Sequence, residues 1–157
     1  INPNLPYFAA SPDILINCDC HGEGCVIVKF FKVMESAESF DVLCREPNHI
    51  LNKGDDFYEL DKRHDLYYQI QLQINVAELK YCDVVIWSPK PNLRQLILRV
   101  YVDYDFWKIN LEKAQKFHQV VVMPEILGKS YTRIGEIQLI DVTSSEPVVD
   151  YKSTAVH

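Results

Sequence analysis

Two apolar segments joined by a short polar turn constrain the fold of this chain more than any other feature. Ser11-Pro12-Asp13 leads into Ile14-Leu15-Ile16, which reads as a strand. The stretch from Cys18 to Gly24 is polar, with Gly22 and Gly24 supplying backbone freedom for a turn. Cys25-Val26-Ile27-Val28-Lys29-Phe30-Phe31 is then β-branched and aromatic, the pattern of a buried strand. A strand of that kind needs sheet neighbours and a covering layer.

The rest of the chain supplies both. Residues 34–63 are charged and irregular, with Pro47, Asn48, Gly54, Asp55 and Asp56 as breakers, and read as a long connection or lid. The segment from Asp65 to Leu79 has two readings. Gln69-Ile70-Gln71-Leu72-Gln73-Ile74-Asn75-Val76 alternates strictly, as a half-buried strand does, while Leu66, Ile70, Ile74 and Ala77 also lie at helical spacing. Periodicity alone leaves that choice open. Tyr81 to Ser88 is a strand stopped by Pro89 and Pro91, and Leu96 to Val102 is another, with Asn92 suiting a hairpin between them. Asp103 or Asp105 caps a helix through Phe106, Leu111, Ala114 and Phe117. Pro124 follows Val120–Met123, and Glu125 to Gly128 closes the unit. Beyond Tyr131 there is one short apolar patch, 137–142, a weak strand. The expected architecture is therefore α/β, a small mixed sheet flanked by helices.

Composition narrows the function classes. The 157 residues are 48% hydrophobic and 24% charged, the balance of one globular domain with enough chain to build a core without a disulfide scaffold. No apolar run approaches the roughly 18–20 residues of a membrane-spanning helix. Sixteen Lys and Arg against 22 Asp and Glu leave a net charge of −6, which argues against unspecific coating of nucleic acid or anionic membrane but leaves room for a local basic groove. The chain opens on Ile1 without an initiator Met or a targeting pattern, and reads as a segment entered mid-domain. Five cysteines, three of them within eight residues, do not resemble a secreted disulfide framework. The expectation is an intracellular, reducing compartment, nuclear or cytoplasmic.

Three groups of residues could carry chemistry. The first is Asp13 with Lys29. A metal-dependent nuclease needs two or more oxygen ligands on Mg²⁺ and a lysine nearby to aid water or the developing charge. On a strand, an acid two residues before that lysine would share its face. The residue there is Ile27. Asp13 alone also reads as a turn or cap residue, and Lys29 as a strand-end lysine reaching for solvent. The second group is Cys18, Cys20, His21 and Cys25. Structural zinc sites carry well-separated C-x₂₋₄-C pairs, so this run reads as a turn with buried thiols, and no zinc is expected. The third is basic and aromatic: Lys29, Lys32, Lys62, Arg63, His64, Tyr67 and Tyr68 could meet phosphates and stack on bases, or form a solvated face over a core. His49 and His118 read as ordinary surface histidines.

The order of motifs resembles a known family, the YqaJ-like viral recombinase nucleases, relatives of phage lambda exonuclease in the PD-(D/E)xK superfamily. The resemblance runs from about Ala9 to Gly128. It rests on Ala10-Ser11-Pro12-Asp13, the turn from Cys18 to Gly24, Val26-Ile27-Val28-Lys29, the run from His64 to Gln71, Cys82 to Trp87, Asp105-Phe106-Trp107, and Pro124 to Gly128. It implies a restriction-endonuclease-like core over residues 1–133, with 134–157 as a tail. It further implies Asp13 as a metal ligand, the Val28 carbonyl as a backbone ligand and Lys29 as the catalytic lysine. Gln69 would lie beside the site on a helix, with Mg²⁺ or Mn²⁺ as cofactor. Linear duplex DNA is the implied partner, and relatives of this kind can form ring-shaped homo-oligomers.

The departures from that pattern matter as much. Ile27 stands where the family carries a metal-binding glutamate, Ile14 replaces a glycine, and Phe30-Phe31 replaces Cys-Pro. No Asp or Glu precedes Asp13. Losing a direct ligand removes several kcal/mol of transition-state stabilisation, roughly 10³-fold or more in rate. The expectation is a DNA-processing domain whose cleavage is impaired or lost. The rival is a non-catalytic DNA-binding or protein-interaction module on the same fold.

Overall fold

The strand that begins near Cys25 lies inside a four-stranded mixed sheet. In this computed structural model, which describes residues 4–129 apart from Glu46 and Asn48, the chain opens with the hairpin β1 (Ile14–Cys18) and β2 (Gly22–Phe30). A 3₁₀ turn (Lys32–Glu35), the single helical turn α1 (Val42–Arg45) and a second hairpin, β3 (Leu51–Lys53) with β4 (Tyr58–Leu60), come next. Helix α2 (Asp65–Val76), strands β5 (Tyr81–Trp87) and β6 (Gln95–Tyr101), and helix α3 (Tyr104–Phe117) follow. The sheet order is β1-β2-β5-β6, with β2 and β5 parallel and the other two pairs antiparallel. This is the α/β architecture expected, a small mixed sheet with helices. Among the described residues no helix is long and apolar enough to cross a membrane. The chain divides into two compact units at Trp107 and Lys108. The expected boundary at residue 133 and the strand at 137–142 lie outside the described residues.

The period of two along β2 divides its side chains. Cys25 and Ile27 enter the core beside Cys82, Val84 and Ile86 of β5, Leu98 and Val100 of β6, and Leu66, Ile70 and Ile74 of α2. Each such aliphatic side chain contributes about 1.5–3 kcal/mol when fully buried. The other face of the sheet is more open: Val28, Phe30, Trp87 and Ile97 are all about half exposed.

Residues 34–63, expected as a long connection or lid, link β2 to α2 through short elements rather than an irregular chain. Met34, Phe40, Leu43, Ile50, Leu51 and Leu60 are all buried in the core, and the β3–β4 hairpin turns at Gly54, whose N–H donates to the Phe57 carbonyl at 2.9 Å. Three-residue strands are too short to show alternation, so sequence reading missed them. Asp41 ties this region together by accepting from Lys53 and from the Tyr58 hydroxyl. Its carboxyl is held below the usual range, first by Lys53 and then by Tyr58, while the Tyr58 hydroxyl is pushed up to about 12, chiefly by Asp41.

The ambiguous segment is helix α2, and its false strand signal has a physical cause. Gln71 and Gln73 are buried, not solvent-facing. Gln71 Nε2 donates to the Tyr101 carbonyl at 2.8 Å and its Oε1 accepts from the Asp103 N–H at 2.9 Å, so one side-chain amide finishes the backbone bonding where β6 ends. Gln73 Nε2 donates to the Ser11 carbonyl at 3.1 Å, pinning the segment that leads to Asp13. At the helix start, the His64 ring nitrogen accepts from the Leu66 N–H at 3.1 Å, a cap that sequence analysis did not name.

Of the two candidate caps for α3, Asp103 does the work, accepting from the Phe106 N–H at 3.1 Å. The helix does not stop before Pro124. It passes through a π-helical turn (His118–Val122) into α4 (Met123–Gly128). Widening the turn accommodates a residue that has no N–H and crowds the carbonyl four positions back. Lys129 ends the helix in the left-handed region (φ 48°).

Candidate functional site

The two ends of the β1–β2 hairpin each gather polar side chains. At the open end, pairing stops at Ile14 with Val26, so the Val28 N–H extends past the ladder on that edge. The Asp13 carboxylate takes the place of a strand partner there, with Oδ2 accepting from Val28 N at 2.8 Å. One residue on, Lys29 turns toward α2 and donates from Nζ to Gln69 Oε1 at 3.1 Å. Asp13, Val28, Lys29 and Gln69 thus come together from three elements. Ile27 shares the inner face with Lys29, and at 1% exposure it is packed into the core.

This corner does not suit a divalent magnesium ion. Mg²⁺ demands near-octahedral oxygen ligands and is usually held by carboxylates. Asp13 commits one of its carboxylate oxygens to a backbone N–H. Asp13 belongs to no cluster of three or more His, Cys, Asp or Glu ligand atoms among the described residues. Ile27, two residues before Lys29 in β2, presents a buried alkyl group.

Several of the expected basic and aromatic residues are engaged with other side chains. Lys32 is exposed in the 3₁₀ turn. Lys62 holds Asp103 at 2.6 Å, which raises its own pKa, and lies over the Tyr67 ring at 5.7 Å. Arg63 holds the buried Asp61 at 2.8 Å and, with its own backbone N–H, brings that carboxyl down to about 2. Tyr68 packs its ring edge-on against Phe106 at 4.7 Å. Lys62 and Arg63 therefore already have carboxylate partners, and a phosphate would have to compete with them. A separate open cleft of about 600 Å³, lined by Tyr58, Lys62, Tyr67, Arg99, Tyr101 and Asp103 among others, includes none of Asp13, Ile27, Lys29 or Gln69.

At the closed end of the hairpin, Cys18 faces Gly22 across the turn, and Gly22 takes φ 78°, with the Lys80 side chain lying where a Cβ would project. Cys18 Sγ lies 2.7 Å from Cys20 Sγ and 3.3 Å from His21 Nδ1, and Cys20 Sγ is 3.0 Å from the same nitrogen. Hydrogen bonds from Cys20 and then His21 lower the Cys18 thiol to about 6, while the Cys20 thiol is raised by its bond to Cys18. The fourth member of the run, Cys25, leaves the group. It sits opposite Cys82 in the core, and the Cys82 thiol is pushed up by its bond to Cys25 and by burial.

The next residues explain why the turn is firm. Gly24 carries the Tyr81 ring directly on its Cα, and a Cβ there would come within 2.6–2.9 Å of ring atoms. Tyr81 is buried at 1% exposure, with His21 against its edge at 6.2 Å and Arg99 over its face at 4.1 Å. Arg99 is itself fixed by two hydrogen bonds to Asp83, each 2.8 Å.

No family model matches this chain, and neither a curated protein nor a solved structure matches it.

Proposed function

We propose that this chain is a DNA-processing domain built on a YqaJ-type exonuclease fold, with its metal-dependent cleavage impaired or lost. One observation carries the reading. Asp13, Val28, Lys29 and Gln69 lie at one corner through two short contacts, 2.8 and 3.1 Å, while the position two residues before Lys29 is a core isoleucine. A hairpin followed by a helix and a strand parallel to its second arm supports the restriction-endonuclease-like reading of the sheet.

In this reading the remaining polar groups bind rather than cut. Lys29 is the ammonium available to a phosphate once it leaves Gln69, and Asp13 serves the backbone. The partner is linear duplex DNA or its ends, and five free cysteines support a reducing compartment, nuclear or cytoplasmic. A protein-interaction module, including a homo-oligomer, has one observation in its favour: the half-exposed Val28, Phe30, Trp87 and Ile97 on the outer sheet face.

The deciding experiment titrates Mg²⁺ or Mn²⁺ with end-labelled linear duplex, reading cleavage and binding in parallel. Salt-sensitive binding, weakened in Lys29→Met, with digestion absent or about 10³-fold below that of an active relative, is the expected result. Brisk Mg²⁺-dependent digestion abolished in Asp13→Ala would overturn the impairment. Indifference to DNA at low salt would favour the interaction module.

A further inference from the structure

We propose that the β1–β2 turn is a soft-metal site, with Cys18 Sγ, Cys20 Sγ and His21 Nδ1 as three ligands to one zinc ion. The three donor atoms come from four consecutive residues and lie within 4.8 Å of one another. Two sulfurs and an imidazole nitrogen are donors for Zn²⁺, unlike the oxygen sets that hold Mg²⁺ or Ca²⁺. This site is separate from the Asp13–Lys29 corner and does not depend on the function proposed for it.

A Cys18–Cys20 disulfide is the competing explanation for sulfurs 2.7 Å apart. It accounts for one contact of the three. The imidazole nitrogen lies within hydrogen-bond distance of both sulfurs, 3.0 and 3.3 Å, a placement that a disulfide does not require. A shared ion would use all three atoms as ligands, at separations that the turn must widen to reach. With Zn–S near 2.3 Å and Zn–N near 2.0–2.1 Å, the sulfurs must separate by about an ångström to seat the ion tetrahedrally. They can do so, because Cys20 and His21 are exposed and Cys18 is only partly covered.

The fold prepares the site from beneath. The Cys18–Gly22 pairing and the His21 N–H bond to the Cys18 carbonyl (3.2 Å) close the turn, while Tyr81 backs the imidazole. Spacing argued against zinc because paired-cysteine motifs bring four ligands from two places. Here a single turn supplies three, and the fourth position faces solvent. A three-ligand site with an open position is the arrangement in which zinc can take a water or an incoming donor.

The test uses the full chain, reduced with a phosphine, stripped with a chelator and titrated with Zn²⁺ against a chromogenic competitor. Co²⁺ serves as a spectroscopic substitute. One ion per chain and a thiolate-to-cobalt charge-transfer band are expected. Cys20→Ser and His21→Ala should each weaken binding by more than the 10–100-fold (order of magnitude) typical of losing an outer-shell partner. Both positions are exposed, so circular dichroism should confirm an intact fold, and Cys44→Ser should bind normally. No uptake by the reduced protein, or uptake unchanged in the two variants, would overturn the site. So would native protein, purified without oxidant, that lacks two hydrogens by mass through a Cys18–Cys20 bridge.

Discussion

The two ends of one hairpin teach different lessons about how a site is assembled. At the open end, Asp13, Lys29 and Gln69 come from a loop, a strand and a helix, and 40 residues of chain separate the last two. At the closed end, Cys18, Cys20 and His21 belong to a single turn. The distributed corner gathers Asp13 and Lys29 around a buried isoleucine. The local turn matches no standard spacing yet brings three donors within reach of one ion. A site drawn from distant elements is lost by one substitution, because each element supplies a single group. A local cluster depends mainly on the turn that closes it.

The sharpest way to break this contrast is Ile27→Glu. Placing a carboxylate at a position only 1% exposed should destabilise the metal-free protein by about 3–5 kcal/mol, the cost of an unpaired buried charge. If the corner is a degenerate nuclease site, Mg²⁺ or Mn²⁺ should recover part of that loss and raise DNA cleavage. Thermal melting with and without metal reads the first, and an end-labelled digestion the second. An unchanged melting temperature on adding metal would show that the corner cannot be rebuilt by one residue.

Gly24→Ala probes the opposite end. Its methyl group would meet the Tyr81 ring, forcing the ring off its seat at a cost of about 1–3 kcal/mol. Displacing Tyr81 also removes the support behind His21. Denaturant unfolding should report the loss of stability, and imidazole resonances should shift while the Val28 amide, held by Asp13, stays put.

The smallest effect is a control remote from both ends. The Tyr58 hydroxyl, raised from 10.0 to about 12 mainly by Asp41, contributes stability in full below pH 10 and loses it as the pH climbs toward 12. Tyr58→Phe should therefore flatten the alkaline fall in the denaturation midpoint between those limits. Its effect on either end of the hairpin should be nil. A mutant curve parallel to the wild type would remove this pair from the account of alkaline stability.

Much of this architecture is legible before folding. The β-branched run from Cys25, the stop at Pro89 and a cap at Asp103 or Asp105 all follow from local chemistry, since period, ring constraint and side-chain reach act over a few residues. What could not be read was burial. Gln71 and Gln73 look like the solvent face of a strand until their amides are seen bonding to Tyr101 and Ser11. Leu51 and Leu60 lie in strands of three residues, too short for a period to appear.

Residue identity and order thus specify the longer strands and the isoleucine two residues before Lys29, because each is written in a short stretch of chain. Packing alone settles which way a glutamine points and that Cys25 leaves its neighbours for Cys82. The reason is reach. Spacing constrains what lies within a few residues, whereas the direction of a side chain depends on the surface that arrives to cover it, here Tyr81 on Gly24 and α2 on the sheet.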